Sequence, residues 1–111
     1  MQHHDNRQRV GLIDYAALRQ EVGIEQVLVI LEFRPVVRKG PQLRGPCPIH
    51  KSSSATSRSF SVNLDRGVYK CFGCGSEGTT LDLCQAAFGG TLYEAAIDAC
   101  QRLGIEPPRR K

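Results

Sequence analysis

A chain of 111 residues, 41% hydrophobic and without tryptophan, has material for one modest core rather than two. Its longest apolar run, Val27 to Leu31, is five residues, too short for a membrane-spanning helix, so a soluble, cytoplasmic protein with no membrane partner is expected. The formal charge of +4 is unevenly spread: residues 34–70 carry a surplus of seven positive charges, the pattern of a surface facing a polyanion or of a solvated basic face.

Residues 1–13 are polar, lack apolar periodicity and are expected to form a flexible N-terminal tail, in which His3 and His4 have no further ligand nearby. The folded domain is expected over residues 14–106. Asp14 can cap a helix over Tyr15 to Val22, with Leu18 and Val22 on one face and Gly23 as its stop. Ile24 to Phe33 satisfies both the helix and the strand template, with Glu25, Gln26 and Glu32 favouring helix and Pro35 ending it. Val36 to Lys39 and Gln42 to Pro46 flank Gly40-Pro41 and predict a hairpin. Lys51 to Ser59 is serine-rich and expected to be a mobile surface loop. Phe60, Val62 and Leu64 alternate with Ser61 and Asn63 as in a half-buried strand, and Val68 to Cys71 returns after the turn at Asp65-Arg66-Gly67. Thr79 or Thr80 can cap a helix presenting Leu81, Cys84 and Phe88, which Gly89-Gly90 ends. Thr91 with Glu94 forms a capping box for a second helix, with Leu92, Ala95, Ala96, Ala99 and Leu103 as its buried stripe and Gly104 as its close. Cys84 and Cys100 fall on or beside these faces as buried free thiols. Residues 107–111 form a basic C-terminal tail. The fold class is α+β, a small antiparallel sheet flanked by short helices.

Two tight pairs, Cys47-Pro48-Ile49-His50 and Cys71-Phe72-Gly73-Cys74, stand out within this plan. A two-residue gap lets both members of a pair reach one ion from a single knuckle, and two knuckles complete the tetrahedron that Zn²⁺ prefers. Cys47, His50, Cys71 and Cys74 are the expected ligands of one structural zinc ion. With all four positions taken by protein, none remains for an activated water. Three thiolates and a neutral imidazole give the site a net charge of about −1, which Lys51 and Lys70 can offset. Gly73 and Gly75 are expected to supply positive φ angles in the second knuckle, and Phe72 to cover the metal. A redox CxxC pair would want a helix starting at its first cysteine, where Gly73, Gly75 and Gly78 make a poor one. A disulfide fits badly with five cysteines, an odd number, and no secretory signal.

The run GPCPIH, a strand ending in SFSV, and VYKCFGCGSEG followed by a helix resemble the N-terminal zinc-binding domain of bacterial DnaG-type DNA primases, over roughly residues 24–106. Two local departures are Ser57-Arg58-Ser59-Phe60 in place of Thr-Pro-Ser-Phe, and Thr79 where Asp or Asn is usual. The resemblance implies a zinc ribbon that engages single-stranded DNA template in primer synthesis. It places nucleic-acid contacts among Arg44, Lys51, Arg58, Phe60, Tyr69 and Lys70, to which the basic segment adds Arg38 and Lys39 as candidates. Cations there neutralise phosphate, and an exposed ring offers a stacking platform; Phe60 is more readily a core residue.

The family's Toprim-type catalytic domain, with its acidic Mg²⁺-binding cluster, has no counterpart in residues 75–111. The expectation is a module that is not catalytic alone and takes no small-molecule substrate. It is either an excised domain or a stand-alone relative working with a separate primase catalytic chain or a replicative helicase. The other reading is a protein–protein adaptor of a replication or mobile-element complex, in which the basic segment is incidental.

Overall fold

The computed structural model describes residues 13–50 and 54–109, with α1 over Tyr15–Glu21 and α2 over Ile24–Ile30 at its start. Asp14 caps α1 as expected, its Oδ1 accepting from the Ala17 N–H at 3.0 Å. Gly23 does not close α1. Val22 does, and Gly23 has an ordinary φ of −84° and opens α2, its N–H donating to Gln26 Oε1 at 2.8 Å. The ambiguous run is helical: Ile24, Val27 and Leu28 are buried while Val29 is 74% exposed, a helical face rather than an alternation.

Among the described residues five strands follow: β1 (Val37–Lys39), β2 (Gln42–Gly45), β3 (Phe60–Asn63), β4 (Val68–Cys71) and β5 (Glu77–Thr79). They form one antiparallel sheet in sequence order. The registers align Arg38, Leu43, Val62, Tyr69 and Gly78 in one row, and Gly45, Phe60 and Cys71 in the next row but one. These rows form the inner face, where Leu43, Phe60, Val62, Tyr69 and Cys71 are buried. Phe60 is wholly enclosed, edge-on to Phe33 with centroids 5.2 Å apart and stacked on Tyr69 at 5.5 Å. The other two rows, Val37-Arg44-Ser61-Lys70-Glu77 and Lys39-Gln42-Asn63-Val68-Thr79, make up the outer face.

The sheet leads into α3 (Thr80–Phe88) and α4 (Leu92–Leu103), each opened by a capping box, Thr79 with Asp82 and Thr91 with Glu94. Leu81, Leu83 and Cys84 of α3 and Ala95, Ala96, Ala99 and Cys100 of α4 are buried in the common core. The buried arc of α3 thus includes Leu83, while Phe88 is only half-buried, its ring 4.6 Å from the Arg102 guanidinium carbon. Leu92 and Leu103 are likewise half-buried at the ends of the α4 stripe.

The folded part reaches further at both ends than the sequence reading placed it. Ile13, assigned to the tail, is 2% exposed and bridges to Arg109, and the Asp14 N–H donates to the Pro108 carbonyl at 2.9 Å. Burial of its side chain favours this docking. The rest of the proposed N-terminal tail, with His3 and His4, lies outside the described residues, as do Arg110 and Lys111.

Candidate metal centre

The two knuckles occupy the chain just after β2 and at the end of β4, and β3 pairs with both strands, so distant segments arrive side by side. One ligand atom from each of Cys47, His50, Cys71 and Cys74 lies within 4.8 Å of all the others. Among the described residues this is the sole metal-type cluster of three or more such side chains. His50 Nδ1 is 3.6 Å from Cys71 Sγ. Standard zinc–sulfur and zinc–nitrogen lengths at a tetrahedral angle give an edge of about 3.5 Å between such ligands. The donor set, three thiol sulfurs and one imidazole nitrogen, fits one structural zinc ion.

Backbone donors support the sulfurs. The Ile49 N–H donates to Cys47 Sγ at 3.3 Å, and those of Gly73 and Cys74 donate to Cys71 Sγ at 3.3 and 3.4 Å. Burial pushes the Cys47 thiol up to about 12. Burial also raises Cys71, but the N–H groups of Cys74 and Gly73 and the Cys47 thiol outweigh it and hold Cys71 below the ordinary thiol value. Ligation by both sulfurs near neutral pH therefore releases the Cys47 proton.

The two knuckle glycines serve different ends. Gly75 has φ of +80°, the left-handed turn anticipated there. Gly73 is not in that region; a Cβ added to it would come 3.1 Å from His50 Cε1, so its missing side chain makes room for the ligand ring.

The sequence-predicted contact residues divide in space. Lys39, Arg44 and Lys70 share the outer face, while Arg38 belongs to the inner row at the β1 edge. The Arg58 side chain is exposed, and its carbonyl accepts from Arg44 Nη2 at 2.8 Å. Lys51 lies outside the described residues. Tyr69, anticipated as a stacking platform, is 4% exposed, lies against Phe60, and hydrogen-bonds through its hydroxyl to Ser76 Oγ at 2.7 Å. It is a core residue because β4 alternation turns it inward.

The exposed ring is Phe72, expected instead to cover the metal. It is 62% exposed, with the Arg44 guanidinium carbon 5.4 Å and Lys70 Nζ 5.3 Å from its centroid. The Phe72 N–H donates to the Ser59 carbonyl at 2.7 Å, extending the ladder so that Phe72 follows Lys70 on the outer side. The alternation Val68, Lys70, Phe72 against Tyr69, Cys71 carried this signal, once Cys71 is required to point inward as a ligand.

A small sheet closed by a three-cysteine, one-histidine cluster defines a zinc ribbon with a structural ion. The chain belongs to the CHC2 zinc finger family, whose DnaG zinc-ribbon model matches residues 13–111. Its relatives are DNA primases. The chain is 35% identical over 83 residues to the DNA primase of Thermotoga maritima, covering 75% of this chain and 14% of that protein. It is 31% identical over 103 residues to the DNA primase of Halalkalibacterium halodurans, covering 93% and 16%. The chain thus spans only about a seventh of the length of these curated relatives. The crystal structure of the zinc-binding and RNA polymerase domains of Aquifex aeolicus primase matches with a TM-score of 0.62 and 29% identity, over 89% of this chain and 22% of that one.

Proposed function

We propose that this chain is the template-engaging module of a primase: a structural zinc ion fixes a basic sheet face that grips single-stranded DNA during primer synthesis in the cytoplasm. The observation that carries this reading is Phe72, an exposed ring set between Arg44 and Lys70 on the outer face. Lys39 shares that face, and Arg66 joins it from the β3–β4 turn. Such a surface pairs a stacking platform with cations spaced along a strand's phosphates. It reads unstacked bases, which a duplex does not present.

The chemistry of bond formation belongs elsewhere, in a catalytic domain of the same polypeptide or a separate chain. With four protein ligands the zinc has no coordination position for a reacting water. Cys47, His50, Cys71 and Cys74 therefore hold geometry, while Lys39, Arg44, Arg66, Lys70 and Phe72 hold template.

The test is fluorescence anisotropy of the zinc-loaded protein with a labelled single-stranded oligonucleotide at low salt. Phe72→Ala is expected to weaken binding by about five- to 150-fold with the melting temperature unchanged, because the ring is largely exposed. Absence of binding by the unaltered protein overturns the proposal and leaves the adaptor reading in its place.

A further inference from the structure

Beside Phe72 the outer face carries a pair of opposite charges in a recessed setting. Lys70 and Glu77 are direct cross-strand partners, with Nζ 3.7 Å from Oε1 and side chains 50% and 63% exposed. They border a shallow depression of about 490 Å³, whose polar lining includes Gln42, Ser61, Asn63 and Thr79. An ion pair this exposed adds little to stability. It also sets a carboxylate on a face otherwise rich in cations, where it repels phosphate.

The pair has the makings of a base reader. Lys70 offers only donors, and the two carboxylate oxygens of Glu77 offer only acceptors. Side by side they present a donor and two acceptors, the pattern that cytosine uses to pair with guanine. Guanine alone among the four DNA bases carries one carbonyl acceptor followed by two adjacent donors, N1–H and the N2 amino group. Adenine and cytosine set a ring-nitrogen acceptor beside their amino group and so pair with Lys70 and only one carboxylate oxygen, while thymine sets its single N–H between two carbonyls and leaves a repulsive contact with the second oxygen. Lys70 Nζ is also 5.3 Å from the Phe72 centroid, so a base stacked on that ring has an edge within reach of the pair.

The geometry points to Lys70 and Glu77 as a specificity element that selects guanine in the strand bound on this face, an inference that rests on the single-strand reading above. Glu77 then raises discrimination while lowering indiscriminate affinity for phosphate.

The test uses the zinc-loaded protein and three eight-nucleotide DNA strands: all thymine, alternating thymine and guanine, and alternating thymine and hypoxanthine, which lacks the N2 amino group. The guanine strand is expected to bind about tenfold more tightly than the thymine strand, with the hypoxanthine strand between them. Glu77→Gln is expected to bring the three within twofold of one another while binding the thymine strand at least as tightly as the unaltered protein. Equal binding of all three strands by the unaltered protein overturns the guanine assignment and leaves the single-strand reading intact. Loss of affinity for all strands alike in Glu77→Gln also overturns it, by showing that Glu77 only positions Lys70. Failure of every strand to bind the unaltered protein removes the single-strand reading and this inference together.

Discussion

Cys84 on α3 and Cys100 on α4 are both at 0% exposure, outside the metal cluster, and they are the thiols that make the core sensitive to alkali. Burial pushes Cys84 up to about 11, with Cys100 and Asp98 adding to the shift, and burial likewise raises Cys100. In the unfolded chain each ionises at the ordinary thiol value of 9.0. A raised folded value means that full stability is present below pH 9 and is lost as pH climbs from 9 towards 11. Cys84 alone is worth about 2 kcal/mol over that window. Urea unfolding of the zinc-loaded protein at pH 8 and pH 10.5 is expected to show this loss, and Cys84→Ala to shrink it while lowering stability at pH 8. An unchanged pH dependence in Cys84→Ala would place the alkaline sensitivity elsewhere. At this scale the sequence was informative about which atoms could hold a metal, since thiol and imidazole spacing follows from coordination chemistry. It was less informative about aromatics: Tyr69 and Phe72 are three residues apart, and only strand alternation, counted from Cys71, tells which of them meets solvent.

Among the elements, helix starts were the most legible, because a cap is written in the side chain that makes it. Asp14, Thr79 and Thr91 each occupy the N-cap position. Strand β5 was not legible: Glu77, Gly78 and Thr79 have no apolar alternation, and their strand state comes from pairing with β4. The end of α2 was half legible. Pro35 marks a limit, but the helix stops earlier, at Ile30, in a turn where the Glu32 N–H donates to the Val29 carbonyl and the Phe33 N–H to the Leu28 carbonyl, each at 3.0 Å. That pattern requires a left-handed residue, and Glu32 takes it with φ of +58°. A side chain in that region costs about 1–2 kcal/mol, which glycine avoids at some expense in unfolded-state entropy. Glu32→Gly is accordingly expected to raise stability by about 1 kcal/mol, a melting shift of a few degrees, and Glu32→Val to lower it. A lower melting temperature for Glu32→Gly would show that the Glu32 side chain contributes more than its backbone costs.

For the molecule as a whole, the ligand cluster ties the chain after β2 to the end of β4, on either side of β3, and Phe72 lies between two of the ligands. The metal is thus a constraint on the same segment that carries the exposed ring, whereas Lys39, Arg44 and Lys70 belong to the sheet itself. In the zinc-loaded protein Lys39, Arg44 and Lys70 of the outer face and Arg66 of the turn, four cations in all, set the proposed salt response: a plot of log affinity against log salt for single-stranded DNA should fall with a slope of about −3. Chelation is expected to lower the melting temperature, because the binding free energy of a structural zinc is folding free energy. It should also weaken single-strand binding at least tenfold at fixed salt, since the knuckle no longer holds Phe72 against Arg44 and Lys70. Zinc should restore both properties and magnesium neither, because thiolate and imidazole ligands favour zinc over a hard oxygen-seeking ion. A melting temperature indifferent to chelation, measured alongside zinc content, would mean that the ribbon is held by its hydrophobic core alone. Unchanged strand affinity after zinc removal would detach the metal from recognition, leaving the sheet cations as a surface that needs no knuckle to present it.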